Sequence, residues 1–447
     1  MFIKMKHFLC ILTMMMSVVS SFGERTIQDG VTYLIDTKDK TVECIGFRDK
    51  DSLHEVLFIP DSICLSGQYY RVVSVADSAF ADCYSLVSVS LGNCIETIGS
   101  FAFDDCRELR SINMSHALRE IGFSAFGNCV SLESVSLPDG VKVLRERAFD
   151  GCLSLKAMYI PESVSMIGVP LFPNNNLNTI KVNRRNPVYD SRRGCNAIIE
   201  TSTNRLIATC SNTTIPRDVV EIAAFSFLET NNLKRVFIPK NVAVIQNRAF
   251  MGCDDVEEIK VSRRNRTFVS EGNAIIASAQ RLLVVGCKNT IIQSGIQSIG
   301  CAAFAGLHSL HSLTLPESVD TILWQAFADC TNLEEIIMPQ KMHYMGDATF
   351  MGCNSLVSFV CPDGIDCIWN QVFAECGSLQ SVILPKSVWI VTYRAFAFCT
   401  DLKEIEMPGV TRIHNEAFLD CSSLKKVTMS PDVVPDKDAF KGVILWK

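Results

Sequence analysis

The chain has 447 residues, of which 48% are hydrophobic and 20% charged, with a formal net charge of -6. That composition supplies a large apolar core and excludes a disordered polyampholyte. An acidic balance with no basic run argues against a nucleic-acid or anionic-membrane partner. A prior of roughly 150 residues per domain suggests about three domains, but repeat arrays break that prior, so internal periodicity has to be read first.

At the N-terminus Lys4, Lys6 and His7 precede an apolar run from Phe8 to Val19, followed by Ser21, Phe22 and Gly23. Small residues three before and one before a cut at Glu24 predict a signal peptide over residues 1–23. The run of about 12 apolar residues is too short for a bilayer span, which takes roughly 20. Cys10 lies too early in the run for a lipid-attachment cysteine, and no later stretch is apolar enough to span, so the expectation is an exported, soluble mature chain. Residues 24–74 then read as an N-terminal β region. Val31 to Ile35 and Thr41 to Phe47, separated by five polar residues, predict a hairpin that caps the first coil of a repeat array.

From residue 75 to 442 one pattern recurs. Phe80, Phe103, Phe126, Phe149 and Phe172 are spaced by 23 residues, as are Phe227 and Phe250. Phe304, Phe327, Phe350, Phe373 and Phe396 repeat that spacing, and Phe418 and Phe440 follow at 22, giving fourteen members of one column. A period between about 20 and 29 with fixed apolar columns predicts a leucine-rich-repeat solenoid, β-rich, one coil per repeat. In one coil Leu310, Leu313 and Leu315 form a short strand closed by Pro316. Val319 and Ile322 form a second short segment, and residues 326–330 turn the corner, expected as a short helical turn carrying Phe327 inward. About seven inward groups at ~1.5–3 kcal/mol each do not offset the ordering of a coil's backbone at ~1–2 kcal/mol per residue, so a coil is stable only when stacked. Residues 443–447 form a short tail, with Ile444, Leu445 and Trp446 available as a weak cap.

Two intervals are long: Phe172 to Phe227 spans 55 residues and Phe250 to Phe304 spans 54. The longer variant units, about residues 177–226 and 256–303, are copies of each other. Val182-Asn-Arg-Arg-Asn186 matches Val261-Ser-Arg-Arg-Asn265, and Asn196-Ala-Ile-Ile199 matches Asn273-Ala-Ile-Ile276. Each predicts a hairpin, turning at residues 202–204 and 278–280.

The recurring Leu-Pro-x-x-Val-x-x-Ile-Gly-x-x-Ala-Phe-x-x-Cys-x-x-Leu, fullest from Leu137 to Leu155 and around Ile299 to Leu310, resembles the BspA-like leucine-rich repeats of bacterial surface proteins. The Asn-Ala-Ile-Ile units resemble a longer repeat interspersed in such arrays. The resemblance covers about residues 57 to 442. It implies an adhesin-like role at a cell surface, with a protein or glycan ligand such as host matrix or another bacterial surface.

Ten of the twenty cysteines lie three residues after the column phenylalanine, at positions 83, 106, 129, 152, 253, 330, 353, 376, 399 and 421. Stacked coils bring such positions within disulfide range, yet each rung has two equal neighbours and all point the same way. Buried reduced thiols bonded to the turn backbone are therefore expected. Among the other ten, Cys44 and Cys64 are the best candidates for a bridge. His308 and His311 have metal-ligand spacing but no third ligand nearby, and no nucleophile, phosphate-loop or dinucleotide motif occurs. Neither enzyme activity, a cofactor nor a metal is expected.

Residues between the inward leucine positions must point out. Along that outward column most rungs are polar, from Ser90 and Asn113 to Glu406 and Thr428, with Tyr159 and Phe237 as isolated aromatics. Ile337, Val360 and Ile383 are three consecutive apolar rungs, a pattern that marks either contact surface or ordinary strand propensity. Trp324, Tyr344, Trp369, Trp389 and Tyr393 cluster in the same coils, as binding residues or as packing over neighbouring rungs. Arg184, Arg185, Arg192 and Arg193, with Arg263, Arg264 and Arg266, give two basic loops, solvated or open to an acidic partner. The leading expectation is a non-enzymatic exported binding protein that engages a protein or glycan through the sheet face of coils 304 to 396. The alternative is a periplasmic or envelope scaffold, which fractionation would distinguish.

Overall fold

The computed structural model describes residues 23–49 and 55–443. The expected signal peptide, apart from Gly23, and the expected cap at Ile444, Leu445 and Trp446 lie outside the described residues.

The chain winds as a β-solenoid whose coils have three sides. In the coil that carries Phe327, Ser312–Thr314 is the first strand, Thr321–Ile322 the second, and the phenylalanine corner closes the turn. Alternation explains the first strand: Leu313 and Leu315 are buried while Ser312 and Thr314 are exposed. Each strand pairs in parallel with its counterpart one coil later, Ser312–Thr314 with Glu335–Ile337 and Thr321–Ile322 with Tyr344–Met345. Two ladders of short parallel strands thus run along the body. Among the described residues no helix is long and apolar enough to cross a membrane.

The corner departs from the expected helical turn. Residues two before and two after the column phenylalanine have positive φ in coil after coil, for example Ser78 and Asp82, Gln325 and Asp329, and Gln371 and Glu375. Alternating right- and left-handed residues cannot continue a helix, whose bonds need successive right-handed residues. They aim every second amide at the next coil instead. The amides of Gln325, Phe327 and Asp329 donate to the carbonyls of Asp347, Thr349 and Met351 at 2.9, 2.9 and 2.7 Å. The intervening amides close tight turns, as Ala328 does on Gln325 at 3.1 Å.

Behind the corner the rings form a stack. Phe304, Phe327, Phe350, Phe373 and Phe396 follow one another with centroids 5.2, 5.4, 5.6 and 5.2 Å apart and ring planes within 15°. The cysteine column lies beside it, and past Cys83 each column thiol donates to the carbonyl of the preceding coil's phenylalanine. Cys330 reaches Phe304 at 3.1 Å, Cys353 reaches Phe327 at 3.2 Å and Cys376 reaches Phe350 at 3.1 Å. Burial pushes the thiols of Cys330, Cys353 and Cys376 up, and that of Cys253 to about 12, so these four stay protonated donors at neutral pH. This is the reduced, turn-bonded ladder expected.

The candidate Cys44–Cys64 bridge does not form. Cys44 is opposite Val75 and Cys64 opposite Tyr69, on strands flanking Gln68–Val75 from either side. Six residues along a strand is roughly 20 Å at ~3.3 Å per residue, far beyond disulfide reach. Cys44 is also buried whereas Cys64 is exposed.

The lead-in forms the expected hairpin, Val31–Asp36 with Thr41–Phe47, and its second strand pairs in parallel with Gln68–Val75, which opens the second ladder. Both long units contain the expected hairpins, Ala197–Glu200 with Arg205–Thr209 and Ala274–Ala277 with Leu282–Val285. At these units the apolar core divides into three clusters, spanning residues 31–223, 195–287 and 274–443.

Candidate binding faces

The predicted contact residues fall on two different sides of the coil. Ile337, Val360 and Ile383 stand on the first ladder and are 51%, 64% and 47% exposed, about half or more of each residue meeting solvent. Val360 and Ile383 are directly opposite each other in one sheet, with Glu406 the next rung. Ile337 belongs to the neighbouring two-stranded sheet, opposite Thr314. The three apolar rungs are consecutive, and the sheet hydrogen bonding is interrupted between the first and the second.

The aromatic set lies on the second ladder and at its junction with the corner. Tyr344 is paired with Thr321 on the second ladder, and its ring is 6.2 Å from that of Trp369 at 51°. Trp369 holds the position taken in other coils by Gly99, Gly122, Gly300 and Gly346. Those glycines lie against the backbone of the coil before, where a Cβ on Gly346 would come within 2.7 Å of the Trp324 amide nitrogen. Trp389 is exposed, and Tyr393, also exposed, carries the Arg394 guanidinium 5.0 Å above its ring. Trp324 is engaged within the protein: the Arg248 guanidinium sits 4.9 Å from its ring and 5.8 Å from that of Phe225. For Trp324 the packing alternative is the one the geometry supports.

Among the remaining candidates, His308, His311 and Arg192 have local partners. His308 Nδ1 is 2.8 Å from the Thr331 hydroxyl, and His311 is 4.0 Å from Glu334, so the two imidazoles are aimed at separate neighbours one coil on. In the first basic loop Arg192 is bound inward, to Asp190, Asn204 and Asp218. Burial pushes the Asp190 carboxyl up, but the Arg192 guanidinium more than offsets it and holds it below the usual carboxylate range.

Sequence reasoning missed one recurring device, the last asparagine of the Val-x-Arg-Arg-Asn copies. Asn186 donates to the carbonyls of Pro161 and Val164 at 2.9 and 2.8 Å and accepts from the amides of Val188 and Tyr189. Asn265 repeats this on Pro239, Val242, Thr267 and Phe268. The duplication was the available signal.

A model of the BspA type leucine rich repeat region matches six copies, over residues 73–191, 199–272, 285–403 and 345–443. The chain belongs to this family. No curated protein matches it. Among solved structures, the BspA-type array is similar to a leucine rich cell surface protein of Faecalibacterium prausnitzii, with 21% identity, TM-score 0.51 and coverage of 95% of this chain and 99% of the other. A leucine-rich repeat protein of Bacteroides ovatus matches at 24% identity and TM-score 0.41, covering 94% and 93%. The pneumococcal vaccine antigen PcpA matches at 16% and 0.45, covering 92% and 100%. At such identities the first of these shows the BspA-type fold and nothing finer.

Proposed function

We propose that this chain is an exported, non-enzymatic binding protein, adhesin-like, that recognises a protein or glycan at a cell surface through the first ladder of coils 304 to 396. The observation that carries this reading is the run Ile337, Val360 and Ile383. On an outward column that is polar in most coils, three successive rungs expose about half or more of an apolar side chain. Solvent gives no reason to keep them there, whereas a partner that covers them gains roughly 1 kcal/mol or more per side chain. The cell-surface description of the Faecalibacterium relative and the secretory pattern of residues 1–23 support the location. Trp369, Trp389, Tyr344 and Tyr393 belong to the adjoining side and extend the surface for a partner wide enough to wrap the edge.

The test compares the mature chain, residues 24–447, with the triple variant I337S/V360S/I383S on arrays of matrix proteins and of glycans. An affinity loss of about 100-fold is expected for the array ligand that binds the parent, with an unchanged melting temperature. Equal binding by both chains would remove the face from consideration.

A further inference from the structure

The first ladder loses a rung in the first long unit. There the Ser211 amide donates to the Leu177 carbonyl at 3.1 Å, and the Asn212 side chain reaches the Asn178 carbonyl at 3.3 Å, as though a strand were about to continue along Thr179–Val182. The chain then turns away. The Thr213 amide bonds to the Cys210 carbonyl, the Thr214 amide to the Cys195 carbonyl, and the Thr213 hydroxyl to the Asn196 carbonyl.

The next strand, Arg235–Ile238, is consequently left with one neighbour, Glu258–Val261, in a two-stranded sheet. In a parallel pair the residues of a strand address alternate sides. The amides of Glu258 and Ser262 bond to the carbonyls of Lys234 and Ile238, which puts residues 234, 236 and 238 on the paired side. The N–H and C=O groups of Arg235 and Phe237 therefore point the other way. They face a cleft of about 360 Å³ lined by Thr213, Thr214, Arg235, Phe237, Glu258 and Lys260.

We propose that this cleft binds an extended peptide segment of a partner protein, which adds to Arg235–Ile238 as the missing rung. Two donors and two acceptors alternate along the open edge with a repeat of roughly 7 Å, the repeat of another strand's backbone. The side chains narrow the sequence further. Phe237 is 56% exposed on the outward face and offers an apolar shelf. Arg235, two residues earlier on the same face, has no carboxylate within ion-pair distance among the described residues, whereas Lys260 is paired with Glu258 and Lys234 with Asp255. A peptide strand presents residues of one face two apart. The segment recognised thus carries an apolar or aromatic residue and an acidic residue separated by one position. This site is separate from the apolar rungs of the proposed adhesive face and does not rest on them.

Panning a linear twelve-residue peptide library against the mature chain tests the assignment. The expected winners carry the apolar-x-acidic pattern. Four variants then separate main-chain from side-chain recognition. R235P and F237P delete an amide that faces the cleft and leave the Glu258–Val261 pairing intact, while R235A and F237A keep that amide. Each proline variant should bind the selected peptide about tenfold more weakly than its alanine counterpart. Independently of whether a proline variant folds, N-methylating successive amides of the peptide should weaken binding to the parent chain at every second position. The proposal is overturned if no peptide is enriched over an F237P background, if proline and alanine variants bind alike, or if the methylation scan lacks a period of two.

Discussion

The regular coils and the two long units hold the same solenoid by different means. Between Phe304 and Phe440 the ring column repeats from coil to coil at 4.9 to 5.6 Å, and from Cys330 to Cys421 each column thiol bonds to a carbonyl one coil back. In the long units that translation fails. Asn186 and Asn265 fill the gap, each holding two carbonyls of the preceding coil and two amides of its own loop. Identical ladders stabilise by number and tolerate extension, whereas a clamp fixes one geometry at one place. The clamps occur where the second ladder stops, just before Met166–Ile167 and Val244–Ile245, so position is enforced there by side chains where that ladder's backbone pairing no longer does it.

Three measurements sharpen or break this contrast. The largest effect is expected from Phe350→Ala, which empties a stacked ring site and should cost about 3–5 kcal/mol in denaturant unfolding. Its ring touches Phe327 and Phe373 within the core cluster of residues 274–443. Native-state hydrogen exchange should show faster opening of that segment and little change before residue 195. A uniform loss would mean that the long units do not insulate one run from the next. Next comes Asn265→Ala, which strands two carbonyls and two amides for about 2–3 kcal/mol. Asn186→Ala should match it, and a large inequality between the two would show that the clamps are not equivalent.

The smallest effect concerns charge, where the two units do differ. Asp190 is set in a network with Arg192, while Glu271 in the second unit has the single partner Arg281, at 2.9 Å. In both, the arginine draws the carboxyl below its ordinary range, for Asp190 against the opposing pull of burial. A depressed folded-state value contributes stability that is present above the ordinary carboxylate range and lost as pH falls through it. Asp190→Asn should therefore cost about 1–2 kcal/mol at pH 7 and Glu271→Gln about 0.5 kcal/mol. Both differences should shrink on acidification below about pH 4. Equal costs, or costs independent of pH, would erase the distinction.

Features that repeat by translation were legible in the sequence: the phenylalanine and cysteine columns, the in-out alternation that exposes Ile337, Val360 and Ile383, and the hairpins seen as copies. The corner was misread because alternation of backbone handedness leaves no hydrophobic period. Its trace was chemical, in Asp82, Asp105, Asn128, Gly151, Gly252, Gly306 and Asp329 at one fixed position, residue types that accept positive φ. Asn186 was visible as a duplicate, but its partners Pro161 and Val164 lie a coil away. Tyr344 and Trp369, read as a second cluster in the same coils, stand on a different side from Ile337 because both ladders pass through one coil.

The corner amides have a consequence for the whole body. Most of the regular coils contribute three that donate toward the following coil, and these point the same way, as from Phe101, Phe103 and Asp105 to Phe123, Ala125 and Gly127. Peptide units of about 3.5 D aligned in this sense add up, whereas the strand ladders contribute little net dipole. The array therefore has an electrical axis, positive toward its C-terminal end and negative toward its N-terminal end, where Gly46 lies so close to the Ala79 carbonyl that a Cβ would come within 2.3 Å of the oxygen. Adding coils by duplication lengthens that axis, and its two ends call for caps of opposite charge.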